Sequence, residues 1–146
     1  ALAGVGVAFK LILALAIKNG LKTTDVFNQY VDIATLGTIA DVVPLLGENR
    51  VIVDKGLKLL HNPKRIGIRA VMEVAGVLDK PLSASTIAFS IAPRLNAAGR
   101  LGSAATAVEL LLTNDESRAR ELALLLDTEN KNVSKPNVKY LTRHWN

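Results

Sequence analysis

Cysteine is absent from all 146 residues. That excludes disulfides and thiolate metal sites, and it fits a reducing cytoplasm. Histidine occurs only at His61 and His144, without a second His or Cys at ligand spacing, so no zinc site is expected. Aromatic residues make up 4% of the chain, which rules out base stacking on aromatic rings as a major theme. No G-x-S-x-G elbow, Walker loop or dinucleotide fingerprint is present. There is no internal repeat and no low-complexity tract. The one stretch that resembles a membrane span, residues 1–17, is interrupted by Lys10, and its flanking runs are too short to cross a bilayer. It also lacks a basic leader and a small-residue cleavage site. A buried core helix is expected there, with no membrane partner.

What is present is apolar. Hydrophobic residues make up 49%, charged residues 21%, and the mean hydropathy is +0.27. That suffices for one core and exceeds an average soluble domain, as in a piece whose surface packs on neighbours. The chain opens at Ala1 with an apolar helical pattern already running, so a preceding N-terminal part is expected. The net charge of +5 and pI of about 9.7 suit a polyanionic partner.

The pattern reads as mostly α, with at most one short strand. A helix is expected over 3–18, stopped by Asn19-Gly20. Thr24 or Asp25 is a possible cap for the next element. Residues 30–40 are mostly apolar, with Asp32 the one charge; their β-branched residues suit a strand, their length suits a buried helix, and helix is the expectation. Pro44 and Gly47 mark a turn. Residues 48–60 form an amphipathic helix with Val51, Ile52, Leu57, Leu59 and Leu60 apolar. A short helix over 68–75 is closed by Gly76, and another, capped by Ser83 or Ser85, ends before Pro93. Residues 103–112 form a further helix. The last, capped by Asn114 or Asp115, is expected to reach about Asn130 with Leu122, Leu125 and Leu126 inward. From Lys131 the period fails, and residues 131–146 are expected to be an irregular tail, disordered or non-native, for example from a frameshift or gene end.

Two places carry chemistry. Asp41 ends an apolar run just before Val42-Val43-Pro44. A carboxylate there is costly to bury unless paired or holding a metal; equally, it is a turn or cap residue. The segment Pro93-Arg94-Leu95-Asn96-Ala97-Ala98-Gly99-Arg100 sets two arginines around an asparagine and small residues. Arginine grips phosphate bidentately, an amide adds a donor, and small residues such as Gly99 admit an anion to the backbone. The alternative is a solvated linker between helices.

These residues carry a resemblance. Ala3-Gly4-Val5-Gly6-Val7-Ala8-Phe9-Lys10 resembles the helix that follows the Asp-His-His motif in RecJ-type exonucleases. Asp32 to Leu45, with Gly37-Thr38-Ile39-Ala40-Asp41-Val42-Val43-Pro44 at its heart, is similar to the family's fourth motif. Glu48-Asn49-Arg50 to Leu60, Arg69 to Gly76, Pro93 to Arg100 and Thr113 to Asn130 match in order and spacing. The resemblance implies a piece of the two-lobed α/β Asp-His-His phosphoesterase core. Residues 1–102 would be the C-terminal part of that domain, and 103–130 the helical connection toward a second lobe. It implies a divalent metal, Mn2+ or Mg2+, with Asp41 as a catalytic metal ligand. Arg94, Asn96, Gly99 and Arg100 would bind substrate phosphate. The implied reaction is 5′→3′ hydrolysis of single-stranded DNA in recombination and repair, with proteins of those pathways as partners. The upstream aspartate motifs, the Asp-His-His motif and the glycine-rich lobe are not in this sequence, so the isolated chain is expected to be inactive. Two other readings are a related phosphoesterase acting on oligonucleotides or cyclic dinucleotides, and a non-catalytic helical nucleic-acid-binding module.

Overall fold

Residues Gly4–Lys18 form α1, which ends as Gly20 takes φ +67 and the Asn19 amide donates to the Leu15 carbonyl at 2.8 Å. The structure is a computed structural model that describes residues 1–102 and 104–134. Helix α2, Thr23–Ala40, begins well before the apolar run. Lys22 occupies its cap position without a side-chain bond, so neither Thr24 nor Asp25 caps it. Helix wins over strand for the β-branched run because α1 and α3 both pack on α2 and bury Val31, Ala34, Thr35, Leu36, Thr38 and Ile39.

Helix α3, Glu48–Leu60, has the expected bounds but a rotated apolar face. Ile52, Val53, Gly56 and Leu60 are buried, whereas Val51 points to solvent. The rotation follows from a close crossing with α2. The Thr35 hydroxyl donates to the Ile52 carbonyl at 2.9 Å, and a Cβ on Gly56 would stand 1.8 Å from Thr35 Oγ1.

Helix α4, Ile66–Val74, starts earlier than expected, which brings Gly67 inside it, and Gly76 at φ +69 closes it. Ser83 Oγ accepts from Thr86 N at 3.1 Å and starts the short α5, Ala84–Thr86. The helical rod then passes through Pro93 instead of stopping before it. It widens to a π turn at Ile87–Ile91, continues as α6, Ala92–Ala97, and tightens to a 3-10 turn at Ala98–Leu101. The break in the hydrogen-bond ladder at the π turn lets Pro93 sit in the first turn of α6, where a missing N–H costs little. Residues 93–100 are therefore helical, not an extended linker.

Helix α7 is Ala105–Leu112, and α8 is Glu116–Ser134. Asp115 caps α8, its Oδ1 accepting from Arg118 N at 2.9 Å. The helix continues past Asn130, so 131–134 are helical and not irregular, helped by a Lys131–Asp127 ion pair at 2.6 Å. Residues 135–146, the rest of the expected irregular tail, lie outside the described residues. Leu124 and Leu125 face outward, while Ala119, Leu122, Ala123 and Leu126 are inward.

Among the described residues there is no strand, and the chain is mostly helical, as expected. The larger core joins Leu36 and Ile39 of α2 to α4, the π turn, α7 and α8. A smaller one holds Phe9, Val31, Ala34 and Ile52. The stretch that the resemblance assigns to a connection shares the larger core through Leu110, Ala119, Leu122 and Leu126. No helix of the described residues is long and apolar enough to cross a membrane.

Candidate functional site

Asp41 is the C-cap residue of α2, exposed to solvent, with its N–H donating to the Gly37 carbonyl at 3.0 Å. Its carboxylate has no hydrogen-bond or ion-pair partner among the described residues. It stands at the negative end of a helix dipole, where a carboxylate is disfavoured and a cation welcome. The next residue, Val42, takes φ +54. A β-branched residue in the left-handed region is strained by about 1–2 kcal/mol. Three residues before Asp41, the buried Thr38 hydroxyl has no partner among the described residues. Unfavourable local features gathered at one point are what a functional site retains and a structural turn loses.

The turn after Asp41 is fixed by Asn49, whose amide donates to the Pro44 and Ala1 carbonyls at 3.0 Å each. Val42 is 85% exposed and Leu46 73% exposed, so the turn carries an uncovered apolar tip. Replacing Val42 with glycine should raise the melting temperature. The strain disappears, no packing is lost, and the net gain is about 0.5 kcal/mol or more after glycine's extra unfolded-state freedom. Scanning calorimetry reads this directly, and a lowered midpoint would mean that the φ of Val42 carries no strain.

The basic segment divides in two. Arg94 is largely buried: its Nε donates to Asp127 Oδ1 at 2.9 Å and its Nη1 to the Ser90 carbonyl. Asp127, on the inward stripe of α8, also holds Lys131. Burial would push the Asp127 carboxyl up; the Lys131 bond and the Arg94 guanidinium outweigh it and hold the carboxyl below its ordinary value. Asn96, Gly99 and Arg100 are exposed, and the side chains of Asn96 and Arg100 have no partner among the described residues. A Cβ on Gly99 would meet nothing within 4 Å, so its backbone is open to an approaching group.

Asp41 and the basic segment flank one core. Helix α2 packs on the π turn and on α6, and Leu36 and Ile39 share a cluster with Ile91, Leu95 and Ala98. Sequence reasoning missed Asp127 and Asn49. Asp127 was legible as a carboxylate eight residues after Ala119 on the stripe of Ala119, Leu122, Ala123 and Leu126. Asn49 had no local signal, because its partners lie in the preceding turn and at Ala1.

A divalent metal asks for several oxygen ligands. Among the described residues no three His, Cys, Asp or Glu side chains are grouped to hold one. Asp41 is chemically suited as one ligand, but the residues present do not form a metal centre by themselves.

No model of a known protein family matches the chain. Curated proteins do. The chain is 47% identical over 137 residues to a single-stranded-DNA-specific exonuclease RecJ of Haemophilus influenzae, covering 89% of this chain and 24% of that protein. It is 42% identical over 134 residues to the Bacillus subtilis protein of the same name, covering 92% of this chain and 16% of that one. The crystal structure of RecJ in complex with Mg2+ from Thermus thermophilus superposes with a TM-score of 0.78 at 42% identity, over 88% of this chain and 20% of that one. A crystal structure of exonuclease RecJ bound to manganese gives the same TM-score and identity, over 32% of its chain. Sequence and backbone agree along nearly the whole described chain, which spans about a quarter or less of the curated relatives cited: it belongs, as one segment of a longer architecture, to the RecJ family.

Proposed function

We propose that this chain is the segment of a metal-dependent single-stranded DNA exonuclease that supplies one carboxylate to the metal centre and a phosphate-binding surface beside it. Asp41 contributes a ligand to a Mn2+ or Mg2+ centre whose remaining ligands lie outside the chain. Bound there, such an ion activates water and stabilises charge on the phosphate. Asn96, the Gly99 backbone and Arg100 take up phosphate oxygens, while Arg94, held by Asp127, keeps only part of its fork for the same task. The finding that carries this reading is the Asp41 carboxylate at the negative end of α2, unpaired among the described residues and next to strained Val42. Neither feature stabilises a turn, and the carboxylate at a helix C-terminus suits a cation.

The test is a RecJ-type enzyme carrying this segment in place of its own. Mn2+-dependent release of nucleotides from single-stranded DNA is expected, and Asp41→Ala should reduce it by at least about a hundredfold, as loss of a group acting in the transition state does. Unchanged activity in that variant would end the reading. The isolated 146-residue chain, with one carboxylate of the centre, should hydrolyse nothing.

A further inference from the structure

The rod from α5 to the 3-10 turn has one solvent-facing line. Ser85, Phe89, Asn96 and Arg100 are exposed along it, with half-buried Pro93 between, in steps of three or four residues. Phe89 is 80% exposed and sits on the π turn. Single π turns inside helices recur at functional sites, because the extra residue swings a side chain out of register. The rod carries no negative charge of its own: from Lys80 to Val108 the sequence holds Lys80, Arg94 and Arg100 and no carboxylate, and Asp127, which meets the rod at Arg94, is taken up by Arg94 and Lys131. A bare phenyl ring thus lies about 16 Å along a carboxylate-free rod from a guanidinium unpaired among the described residues.

We propose that Phe89 is a stacking platform for one base of a single-stranded nucleic acid whose phosphates lie on Asn96 and Arg100. The proposal rests on the phosphate-binding reading above and adds a base subsite to it. A phenyl face accepts any base, so the subsite reads single-strandedness and not sequence: a paired base keeps its own stack and cannot cover the ring. The low aromatic content excludes a series of such rings and is compatible with one.

The test uses the full 146-residue chain at low salt, with two labelled oligonucleotides of equal length: oligo-dT and an abasic strand with the same phosphates. Phe89→Ala should weaken oligo-dT binding about 5- to 150-fold and leave the abasic strand unaffected. Phe89→Trp should restore or tighten it. Arg100→Gln should weaken both strands alike and lower the salt slope by about one. An exposed ring can be removed without unfolding the chain, and circular dichroism of each variant checks this. Wild-type affinity of Phe89→Ala for oligo-dT overturns the stacking, as does an equal loss on the abasic strand. Normal binding by Arg100→Gln with impaired Phe89→Ala sinks the phosphate reading alone. Failure of the wild-type chain to bind either strand sinks both.

Discussion

Replacing Gly67 with alanine should unfold the chain or lower its melting temperature by about 10 °C or more, although alanine is the better helix former. Gly67 is the second residue of α4. A Cβ there would stand 1.7 Å from the Leu110 carbonyl oxygen and 2.6 Å from its carbon. Both obstacles are backbone, so no rotamer change relieves them, and α7 would have to move off α4. Leu110 is fully buried in the larger core, so that movement opens the core. Overpacking of this kind costs about 3 kcal/mol or more, against a total stability of roughly 5–15 kcal/mol. Without the clash, the substitution would stabilise α4 by about 1 kcal/mol. The sign of the change in urea unfolding followed by circular dichroism therefore decides, with Gly99→Ala as a control in open space. A Gly67→Ala chain as stable as wild type would mean that α4 and α7 do not approach as described.

Asp127→Ala should cost about 2–4 kcal/mol, the second largest effect. It strands the guanidinium of Arg94, whose side chain is only 15% exposed, without its counter-charge. The exposed Lys131 loses little. The pair also sets a pH dependence. The Asp127 carboxyl is held below its ordinary value of 3.8 in the folded chain, so its contribution is complete above that value and is lost as pH falls below it. Wild-type stability should fall more steeply than that of Asp127→Asn as the pH is lowered through and below 3.8. Parallel pH profiles for the two proteins would remove Asp127 from its clamping role. If the clamp orients Arg94 for phosphate, Asp127→Asn should also weaken single-strand binding by the folded chain.

Much of this fold was legible because α3 and α8 are amphipathic, the first bounded by turn residues and the second opened by a capping residue: the Glu48–Leu60 bounds and the Asp115 cap need only neighbours along the chain. The π turn was not legible. Pro93 forbids one hydrogen bond locally, and whether the helix then stops or widens depends on whether Ile87 and Ile91 can still be buried against α2. The rotation of α3 had the same origin, since the Gly56–Thr35 crossing outweighs the local apolar count.

The sequence by itself determined a helical chain, two chemically unusual segments around Asp41 and Arg94–Arg100, and a family resemblance carried by their long motifs, because residue order and spacing encode those directly. Only the tertiary structure decided which basic groups are free. Arg94 and Arg100 are equivalent on paper; burial against α8 commits the first to Asp127, while the second stays in solvent. It also decided that Asp41 stands unpaired among the described residues, because a carboxylate's partners are chosen by how helices pack and not by its neighbours in the chain.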